Sequence, residues 1–499
     1  MLCLGIDSGT SSTRALVLDI ESGKVLALAR REHKFVEGLP HGHVEQLPQT
    51  WTDAADQVVR ECLAAIEKRK HEVVAIGVSA QQHGLVVLDD KNQPIRSAKL
   101  WSDTSTAGET EELNKVFPGA EAMIDRTGNL IVPGFTAPKL LWLKRHEPHN
   151  FARTQTILLP HDYLNLWLTG ERQMEYGDAS GTGLMEVPKR EWCQPLLDYI
   201  DKDLSRRLPP LGPTSKPAGL LRDKWRTEWG LSGDILVGAG SGDNMLGAIG
   251  TGNIKPGVVT VSLGSSGTVY CYAEKPVVDR KGELALFCDA TGHWLLLACT
   301  MNIGVAIKRL RALFGWDDAA VEENVASVRA GAEGLMFLPY LQGERMPDLP
   351  NASGVLHGLT SSNMTAPHIA RAVAEGLTMG LAYGLKRMID LGIEPTELRV
   401  TGGGSKSAIW RKMIADIFGY PVVGLKVAEG AALGAAIHAA WTYRQVKGEP
   451  IALERLVRDA VKVDKKTRAE PRKENQSLYR ELRARHADLT RKLAGAGYL

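Results

Sequence analysis

The chain of 499 residues lacks the features that mark several specialised classes of protein. Its 60 Lys and Arg residues nearly balance its 58 Asp and Glu residues, and the net charge of +2 argues against a dedicated nucleic-acid-binding protein. No apolar run reaches the ~18 residues of a membrane-spanning helix. The composition is also unlike that of disordered, collagen-like or coiled-coil chains. We therefore expect an ordinary globular protein that is long enough for more than one domain.

Cysteine is scarce, and its spacing indicates neither a metal site nor a disulfide framework. The 6 cysteines are scattered without a Cys-x-x-Cys pair, and some, such as Cys271 and Cys299, stand in apolar strand-like runs. This pattern predicts buried, reduced thiols. Residues 1–10 lack the basic start and the long apolar run of a secretory signal. We therefore expect a cytoplasmic protein that does not contact membranes.

Some familiar catalytic patterns are absent as well. The chain contains no Walker A loop of the form G-x-x-x-x-G-K-[ST], and no Ser-His-Asp triad or metal-ligand cluster stands out. The chain is therefore not expected to be a P-loop nucleotide-binding protein. Any phosphate chemistry must therefore use another kind of loop.

A strand-rich opening is the first feature that is present. Residues 2–7, 14–20 and 24–32 are strand-like and joined by short turns, which predicts an antiparallel meander. Apolar residues at helical spacing follow over 51–70. The near-continuous apolar run 73–80 is typical of a buried parallel strand. The predicted order is β-β-β-α-β.

The second half of the chain repeats this order. Residues 257–274 form a strand, a Gly/Ser turn and another strand, and 284–290 and 293–300 continue the predicted sheet. A helix over 302–314 follows, and 397–419 has the pattern strand, glycine loop, helix. We infer an internal structural duplication and an α/β fold with two α/β domains.

Glycine and proline cluster at 245–256, and we place the domain boundary there. The prediction is a first domain over 1–250, a second domain over 251–445, and a C-terminal helical tail over 446–499. The tail would pack on the second domain or extend it. Since ligands of α/β proteins commonly bind between domains, we expect a central cleft.

Two turns rich in Gly, Ser and Thr stand at equivalent places in the two halves. They cover residues 7–14 and 262–268. Glycine allows backbone N–H groups to approach an anion, and the hydroxyls add donors, although each turn alone is also typical of a plain hairpin. Two such turns facing one cleft would bind a polyphosphate from both sides. Asp7, at the end of the first strand, is a candidate Mg²⁺ ligand, through water, beside the phosphates.

Three other segments carry candidate site residues. Asp243 follows an apolar strand and precedes a helix of small residues, where it serves as an N-cap or as a general base for a sugar hydroxyl. The glycines at 402–404 are either a tight strand-to-helix turn or a flat surface for adenosine. Polar and aromatic residues that follow apolar strands suit a polyol ligand, and these are Gln82, His83, Trp101 and Asp103.

Longer motifs resemble the FGGY family of carbohydrate kinases. The two family signatures are matched at 134–146 (GFTAPKLLWLKRH) and at 354–376 (GVLHGLTSSNMTAPHIARAVAEG), and 337–347 is a further family-typical stretch. The resemblance covers about residues 1–445. It implies two ribonuclease-H-like domains of the actin, hexokinase and Hsp70 superfamily around a central cleft. Within the family, 128–148 is similar to the branch that phosphorylates xylulose.

The resemblance also implies a role for individual residues. Asp243 matches the catalytic base, and Asp7 matches the aspartate that positions Mg-ATP. The residues expected to contact the nucleotide are Thr10, Ser11, Ser12, Ser265, Gly304, Gly403, Gly404 and Ser407. The residues expected to contact the sugar are Gln82, His83, Trp101, Asp103, Asp243 and Asn244.

The expected activity is ATP-dependent phosphorylation of D-xylulose at O5, with ATP and Mg²⁺ as cofactors and a homodimer left open as the oligomeric state. Gln82 stands where xylulose kinases commonly have Met, and Ser102 where Asn is more usual. These departures keep ribulose, ribitol and arabitol open as acceptors. A nucleotide-driven binding or assembly protein of the actin or Hsp70 type is the alternative from another class.

Overall fold

The computed structural model describes residues 1–264 and 266–499. The fold is α/β, and the chain divides into two compact units. The first unit contains Met1–Ile254, Glu274–Leu295 and Glu429–Val461. The second unit contains Lys255–Ala273, Leu296–Ala428 and Lys462–Leu499.

The strands in chain order are β1 Leu2–Ser8, β2 Ser12–Asp19, β3 Lys24–Glu32, β4 Glu45–Gln46, β5 Val73–Ala80, β6 Val86–Leu88, β7 Ala98–Lys99, β8 Thr156–Leu158, β9 Met174–Glu175, β10 Met185–Glu186, β11 Glu191–Trp192, β12 Leu211–Gly212, β13 Gly219–Leu220, β14 Leu236–Val237, β15 Ser241–Gly242, β16 Val258–Leu263, β17 Gly267–Ala273, β18 Ala285–Cys288, β19 Trp294–Thr300, β20 Met336–Leu338, β21 Val355–His357, β22 Glu397–Thr401, β23 Val422–Leu425 and β24 Val463–Ala469.

The α-helices in chain order are α1 Pro48–Ala65, α2 Ala107–Leu113, α3 Ala120–Thr127, α4 Thr136–His146, α5 Pro148–Arg153, α6 Pro160–Thr169, α7 Tyr176–Ala179, α8 Gln194–Ile200, α9 Asp223–Glu228, α10 Asp243–Thr251, α11 Ile303–Phe314, α12 Asp318–Ser327, α13 Ala366–Asp390, α14 Ala408–Phe418, α15 Gly430–Val446, α16 Leu453–Ala460 and α17 Lys473–Gly495.

The main sheet of the first unit has the strand order β13-β14-β5-β1-β2-β3. Strands β1, β2 and β3 pair antiparallel in succession, whereas β5 pairs parallel with β1. Strand β1 is buried at every position, as expected of an apolar strand covered on both faces. The predicted meander and the predicted parallel strand over 73–80 are both confirmed.

The sheet of the second unit repeats this pattern. Six strands of this seven-stranded sheet follow the order β19-β17-β16-β22-β23-β24. Strand β16 pairs antiparallel with β17 and parallel with β22, and β23 then pairs parallel with β22 and antiparallel with β24. In the first unit, β14 likewise pairs parallel with β5 and antiparallel with β13. The strand orders therefore correspond position by position, which confirms the internal duplication.

Helix α15 belongs to the first unit although it comes late in the sequence. It lies on β1 and β5 and crosses α10 at very close range. A Cβ on Gly5 or Gly77 would collide with backbone carbonyls of α15, and a Cβ on Gly434 would collide with α10. Only glycine leaves room for this approach of backbone to backbone. Each compact unit is therefore built from separate segments of the chain, whereas the sequence predicted three consecutive segments.

The C-terminal residues contain more than the predicted helical tail. Helix α16 lies in the first unit, β24 adds an edge strand to the sheet of the second unit, and α17 follows. The Tyr479 hydroxyl of α17 donates to Glu375 Oε1 (2.6 Å) and accepts from Arg371 (2.7 Å), which anchors α17 to α13.

All 6 cysteines are buried and none is in a disulfide, as the sequence predicts. Burial raises the pKa of the Cys3 and Cys271 thiols to about 12, so both stay protonated near neutral pH. No helix of residues 1–264 and 266–499 is long and apolar enough to cross a membrane.

Candidate active site

The turn between β1 and β2 carries the candidate metal ligand. Asp7 lies at the end of β1, where its Oδ1 accepts from the Ser79 hydroxyl (2.9 Å) and its Oδ2 lies 3.6 Å from Arg14 Nη1. Burial raises the pKa of Asp7, and the Arg14 charge opposes that rise. A buried carboxylate at an incompletely neutralised site fits Mg²⁺, which prefers oxygen ligands. Residues Thr10 and Ser11 are the more accessible part of the same turn.

The main chain of this turn is hydrogen-bonded by the buried side-chain amide of Gln46. Gln46 Nε2 donates to the Thr10 carbonyl oxygen (2.8 Å). Its Oε1 accepts from Trp51 Nε1 (2.9 Å) and from Gln81 Nε2 (3.0 Å), so the Gln46 amide orientation is fixed. On the other side, His33 Nε2 lies 2.7 Å from Thr13 Oγ1. Sequence patterns indicated neither Gln46 nor His33, because both act only through long-range contacts.

Asp243 begins α10 and is half-buried. Burial raises its pKa to about 8, and the negative charges of Asp7 and Asp178 add to the rise. A carboxyl with a raised pKa is a stronger proton acceptor once it is ionised, which suits a general base. Its Oδ1 accepts from Asn244 Nδ2 (3.0 Å), and the same Nδ2 lies 2.9 Å from Gln82 Oε1.

His83 follows Gln82 in a left-handed conformation with φ of 65°. Such a backbone costs on the order of 1 kcal/mol outside glycine. The buried Lys139 ammonium compensates by donating to the His83 carbonyl oxygen (2.8 Å). The His83 ring lies 4.9 Å from Phe135 and 5.7 Å from Phe287, measured between centroids. Lys139, part of the first sequence signature, therefore holds the His83 backbone in this conformation.

Trp101 and Asp103 both lie in the first unit but differ in their surroundings. Trp101 is half-buried, and its indole N–H donates to Thr10 Oγ1 (2.8 Å). Asp103 is buried, with its Oδ2 3.0 Å from the fully buried Lys99 ammonium and 2.9 Å from the Val44 amide. The structure therefore places the Asp103 carboxylate among protein donors, and its contact with a sugar stays a prediction.

Lys99 also lies at the one place, among the described residues, where three side chains that could bind a metal ion come close together. His43, Glu45 and Asp103 could together coordinate a cation. The Lys99 ammonium lies 3.1 Å from His43 Nδ1, 3.5 Å from Glu45 Oε1 and 4.0 Å from the centroid of the Trp142 ring. The Lys99 ammonium is therefore the cation of this cluster, and the three side chains that could bind a metal ion already surround it.

A second buried cluster lies behind the candidate base. His161 Nδ1 lies 2.7 Å from Asp178 Oδ2, and His161 Nε2 lies 3.1 Å from Asp162 Oδ1. Glu175 accepts from the Asp178 amide (2.5 Å) and from the Ser241 hydroxyl (2.8 Å). Sequence reasoning missed this cluster, since its members are separated along the chain and each looks unremarkable alone.

The predicted nucleotide residues of the second unit lie together. They line a pocket of about 1050 Å³, and the residues concerned are Gly304, Gly403, Gly404 and Ser407. Gly304 is in the first turn of α11, where the helix dipole favours anions. Apolar, cationic and acidic side chains share the lining, among them Trp316, Arg311 and Glu322, whose carboxylate accepts from the Ser407 hydroxyl (2.9 Å). This mixture suits a nucleoside with phosphates. Ser265 lies outside the described residues.

Comparison with known proteins agrees with these features. Residues 2–250 match the N-terminal domain of the FGGY family of carbohydrate kinases, and residues 259–443 match its C-terminal domain. A xylulose kinase of Haemophilus influenzae is 40% identical over 474 residues, which cover 94% of this chain and 95% of that protein.

Solved structures are similar over nearly the whole chain. One, described as a xyloylose kinase from Brucella ovis, has a TM-score of 0.90 at 31% identity and covers 99% of this chain and 100% of its own. A gluconate kinase from Lactobacillus acidophilus has a TM-score of 0.88 at 25% identity, with 99% and 98% covered.

Proposed function

We propose that the chain, which belongs to the FGGY family of carbohydrate kinases, transfers the γ-phosphoryl group of ATP to O5 of D-xylulose. It is a carbohydrate kinase of the xylulose kinase type, and a sugar and ATP are its substrates. The choice of D-xylulose is supported by the names of its relatives. The proposed products are D-xylulose 5-phosphate and ADP.

The observation that carries the proposed mechanism is the carboxyl of Asp243 at the start of α10. A sugar hydroxyl is a poor nucleophile near neutral pH, and a positioned carboxylate accepts its proton as the new P–O bond forms. The raised pKa of Asp243, about 8, strengthens it as an acceptor. The proton moves from O5 to the carboxylate, and the phosphoryl group moves from ATP to O5.

The other residues bind and orient the substrates. In the first unit, Thr10, Ser11 and Ser12 would donate to phosphate oxygens, and Asp7 would hold Mg²⁺. The ion, when bound, neutralises the phosphate charge that develops in the transition state. Asn244, His83 and Trp101 would orient the sugar. In the second unit, the pocket at the start of α11 would bind the nucleotide.

The test is the release of ADP with Mg-ATP across a panel of acceptors. The panel contains D-xylulose, L-xylulose, D-ribulose, L-ribulose, ribitol, arabitol, glycerol and gluconate. The proposal expects D-xylulose to have a kcat/KM at least about tenfold above every other acceptor, a transition-state preference of ~1.4 kcal/mol. If another acceptor has the highest kcat/KM, that acceptor replaces D-xylulose as the proposed substrate. Gln82 and Ser102 would then be the first residues to mutate in a test of acceptor specificity. Asp243 would keep its proposed role in that case.

A further inference from the structure

Gln82 lies between the candidate base and a buried charged pair. It is 4% exposed, and its Oε1 accepts from Asn244 Nδ2 at 2.9 Å. Asn244 Nδ2 also lies 3.0 Å from Asp243 Oδ1. The Asn244 amide group therefore bridges the Gln82 side chain and the Asp243 carboxyl.

The other end of the Gln82 amide faces Asp178. A Cβ on Gly242 would lie 3.0 Å from Gln82 Cδ and 3.1 Å from Asp178 Oδ1, so both side chains pack against the same glycine. Burial raises the pKa of the Asp178 carboxyl, and His161 and the nearby Gln82 amide oppose that rise. Among the described residues, neither Gln82 Nε2 nor Asp178 Oδ1 has a well-aligned hydrogen-bond partner. Each is therefore the available partner of the other.

The Asp178 carboxyl is itself held by His161. The two side chains are fully buried, and His161 Nδ1 lies 2.7 Å from Asp178 Oδ2. Burial alone would lower the pKa of His161. The negative charges of Asp162, Asp178 and Glu175 outweigh burial and raise this pKa to about 9. An imidazolium beside Asp178 favours the ionised form of that carboxyl, and an ionised carboxylate only accepts hydrogen bonds.

The charge on the Asp178 carboxylate determines how the amide groups of Gln82 and Asn244 are oriented. Because Asp178 only accepts, the Gln82 Nε2 group turns toward it, and Gln82 Oε1 turns toward Asn244. Because Oε1 only accepts, the Asn244 Nδ2 group turns toward Gln82 and so also toward Asp243. A donor is thereby aimed at the Asp243 carboxyl, where it fixes the rotation of that group and favours its ionised form.

We infer that Gln82 is a positioning residue, which acts through Asn244 to orient the carboxyl of Asp243, and that its own amide is oriented by the Asp178–His161 pair. This inference rests on the proposed function and departs from the expectation that Gln82 contacts the sugar. It explains why an amide is used at a place where an apolar side chain of similar length would also fill the space.

The first experiment measures steady-state kinetics of Gln82→Met, which keeps the length of the side chain and removes the amide, and with it the acceptor for Asn244 Nδ2. With the best acceptor of the panel, kcat falls about tenfold or more, because small displacements of a catalytic group are costly. The KM for that acceptor stays within about twofold of its original value, since no sugar contact is lost. A raised KM with unchanged kcat overturns the inference and makes Gln82 a sugar contact.

A double-mutant cycle with Asn244→Ala separates positioning from a general loss of packing. If Gln82 acts through Asn244, the Gln82→Met change has little further effect on kcat once Asn244 is Ala. Independent, multiplicative losses overturn the inference. Asn114→Leu is the matched control for losing an amide in the first unit, because the Asn114 side chain bonds the backbone of Ile131. It is expected to change the thermal midpoint without reducing kcat.

A measurement that does not depend on kinase activity tests the inference even if the proposed function is wrong. The pKa of Asp243 is measured by carbon NMR of the side-chain carboxyl in the unliganded protein, assigned with Asp243→Asn. Gln82→Met is expected to raise this pKa, because the donor from Asn244 is no longer aimed at the ionised form. An unchanged pKa overturns the inference. Absence of kinase activity in the original chain, with the NMR shift present, overturns the proposed function alone.

Discussion

Trp101 donates its indole N–H to the hydroxyl of Thr10 at 2.8 Å. The sequence placed these residues in different sites, Trp101 against the sugar and Thr10 against the phosphates. The hydrogen bond joins these two predicted sites within the first unit. A change at Trp101 is therefore expected to affect the turn that carries Thr10.

Trp101→Phe tests this link, because it keeps an aromatic ring and removes the N–H. Loss of a net ~1 kcal/mol is expected to raise the KM for ATP about fivefold, in addition to any effect on the sugar. Trp229→Phe is the matched control, since it removes an indole N–H that donates to Asp56 Oδ1 (2.8 Å). An effect of Trp101→Phe on the sugar KM alone would contradict the link.

Removal of the Asp243 carboxylate tests the proposed base. Asp243→Ala and the isosteric Asp243→Asn are each expected to lower kcat by about 10²–10⁴, the usual contribution of a general base. ATP binding, measured by calorimetry, should remain. A variant that retains more than about a tenth of the original kcat would remove Asp243 from this role.

The pH profile should report the raised pKa of Asp243. A base must be ionised to act, so kcat/KM for the acceptor is expected to rise with pH and to level off near the pKa of about 8. Asp7→Asn removes a negative neighbour, which favours the ionised form, so the Asp243 pKa in the unliganded protein should fall. Carboxyl NMR measures this shift. An equal or higher pKa in Asp7→Asn would mean that Asp7 does not act on Asp243.

The same pKa has a consequence for stability. A carboxyl with a raised pKa in the folded state binds its proton more tightly there than in the unfolded chain. The stability that protonation provides is present below the ordinary pKa of about 4 and is lost as pH rises toward about 8. Asp243→Asn should therefore raise the thermal midpoint by about 1–2 °C at pH 8.5 and by less at pH 5. Calorimetric scans at both pH values check the sign.

Two neighbouring glycines of the second unit offer a matched pair of substitutions. A Cβ on Gly404 would lie 2.9 Å from Leu263 Cβ and 3.2 Å from the Trp410 ring, whereas a Cβ on Gly403 meets no protein atom within 4 Å. Gly404→Ala should lower the thermal midpoint. Gly403→Ala should leave the midpoint unchanged and raise the KM for ATP, since only a bound nucleotide would meet the added methyl group. Unchanged ATP kinetics in Gly403→Ala would place the nucleotide elsewhere.

Hydrophobic spacing predicted the main strands well. The meander β1 to β3, the parallel strand β5 and the strand–helix pair β22–α14 fall where the apolar runs indicated. The late elements were less predictable. Strand β24 has few buried residues, and its sequence is mostly charged, so only its pairing with β23 makes it a strand. The membership of α15 in the first unit depends on close contacts with Gly5 and Gly77, which no local pattern reveals.

The candidate site was predictable where a residue follows a strand end or begins a helix. Asp7, Asp243 and Gln82 are of this kind, and the structure places them in one unit. The supporting residues were not predictable, because their value lies in partners distant along the chain. Gln46 is recognised only from its bond to Thr10, and His161 only from Asp178.

The close crossing of α10 and α15 also bears on how the protein is made. Asp243 stands at the first residue of α10, and that helix packs against glycines of α15 that are translated almost two hundred residues later. On the ribosome, the first unit therefore cannot complete its core when residue 254 emerges; it must wait for residues 429–446. A polypeptide released early would lack the packing of α15 against α10, the helix that Asp243 begins. Expression of residues 1–250 alone is accordingly expected to give an incomplete fold.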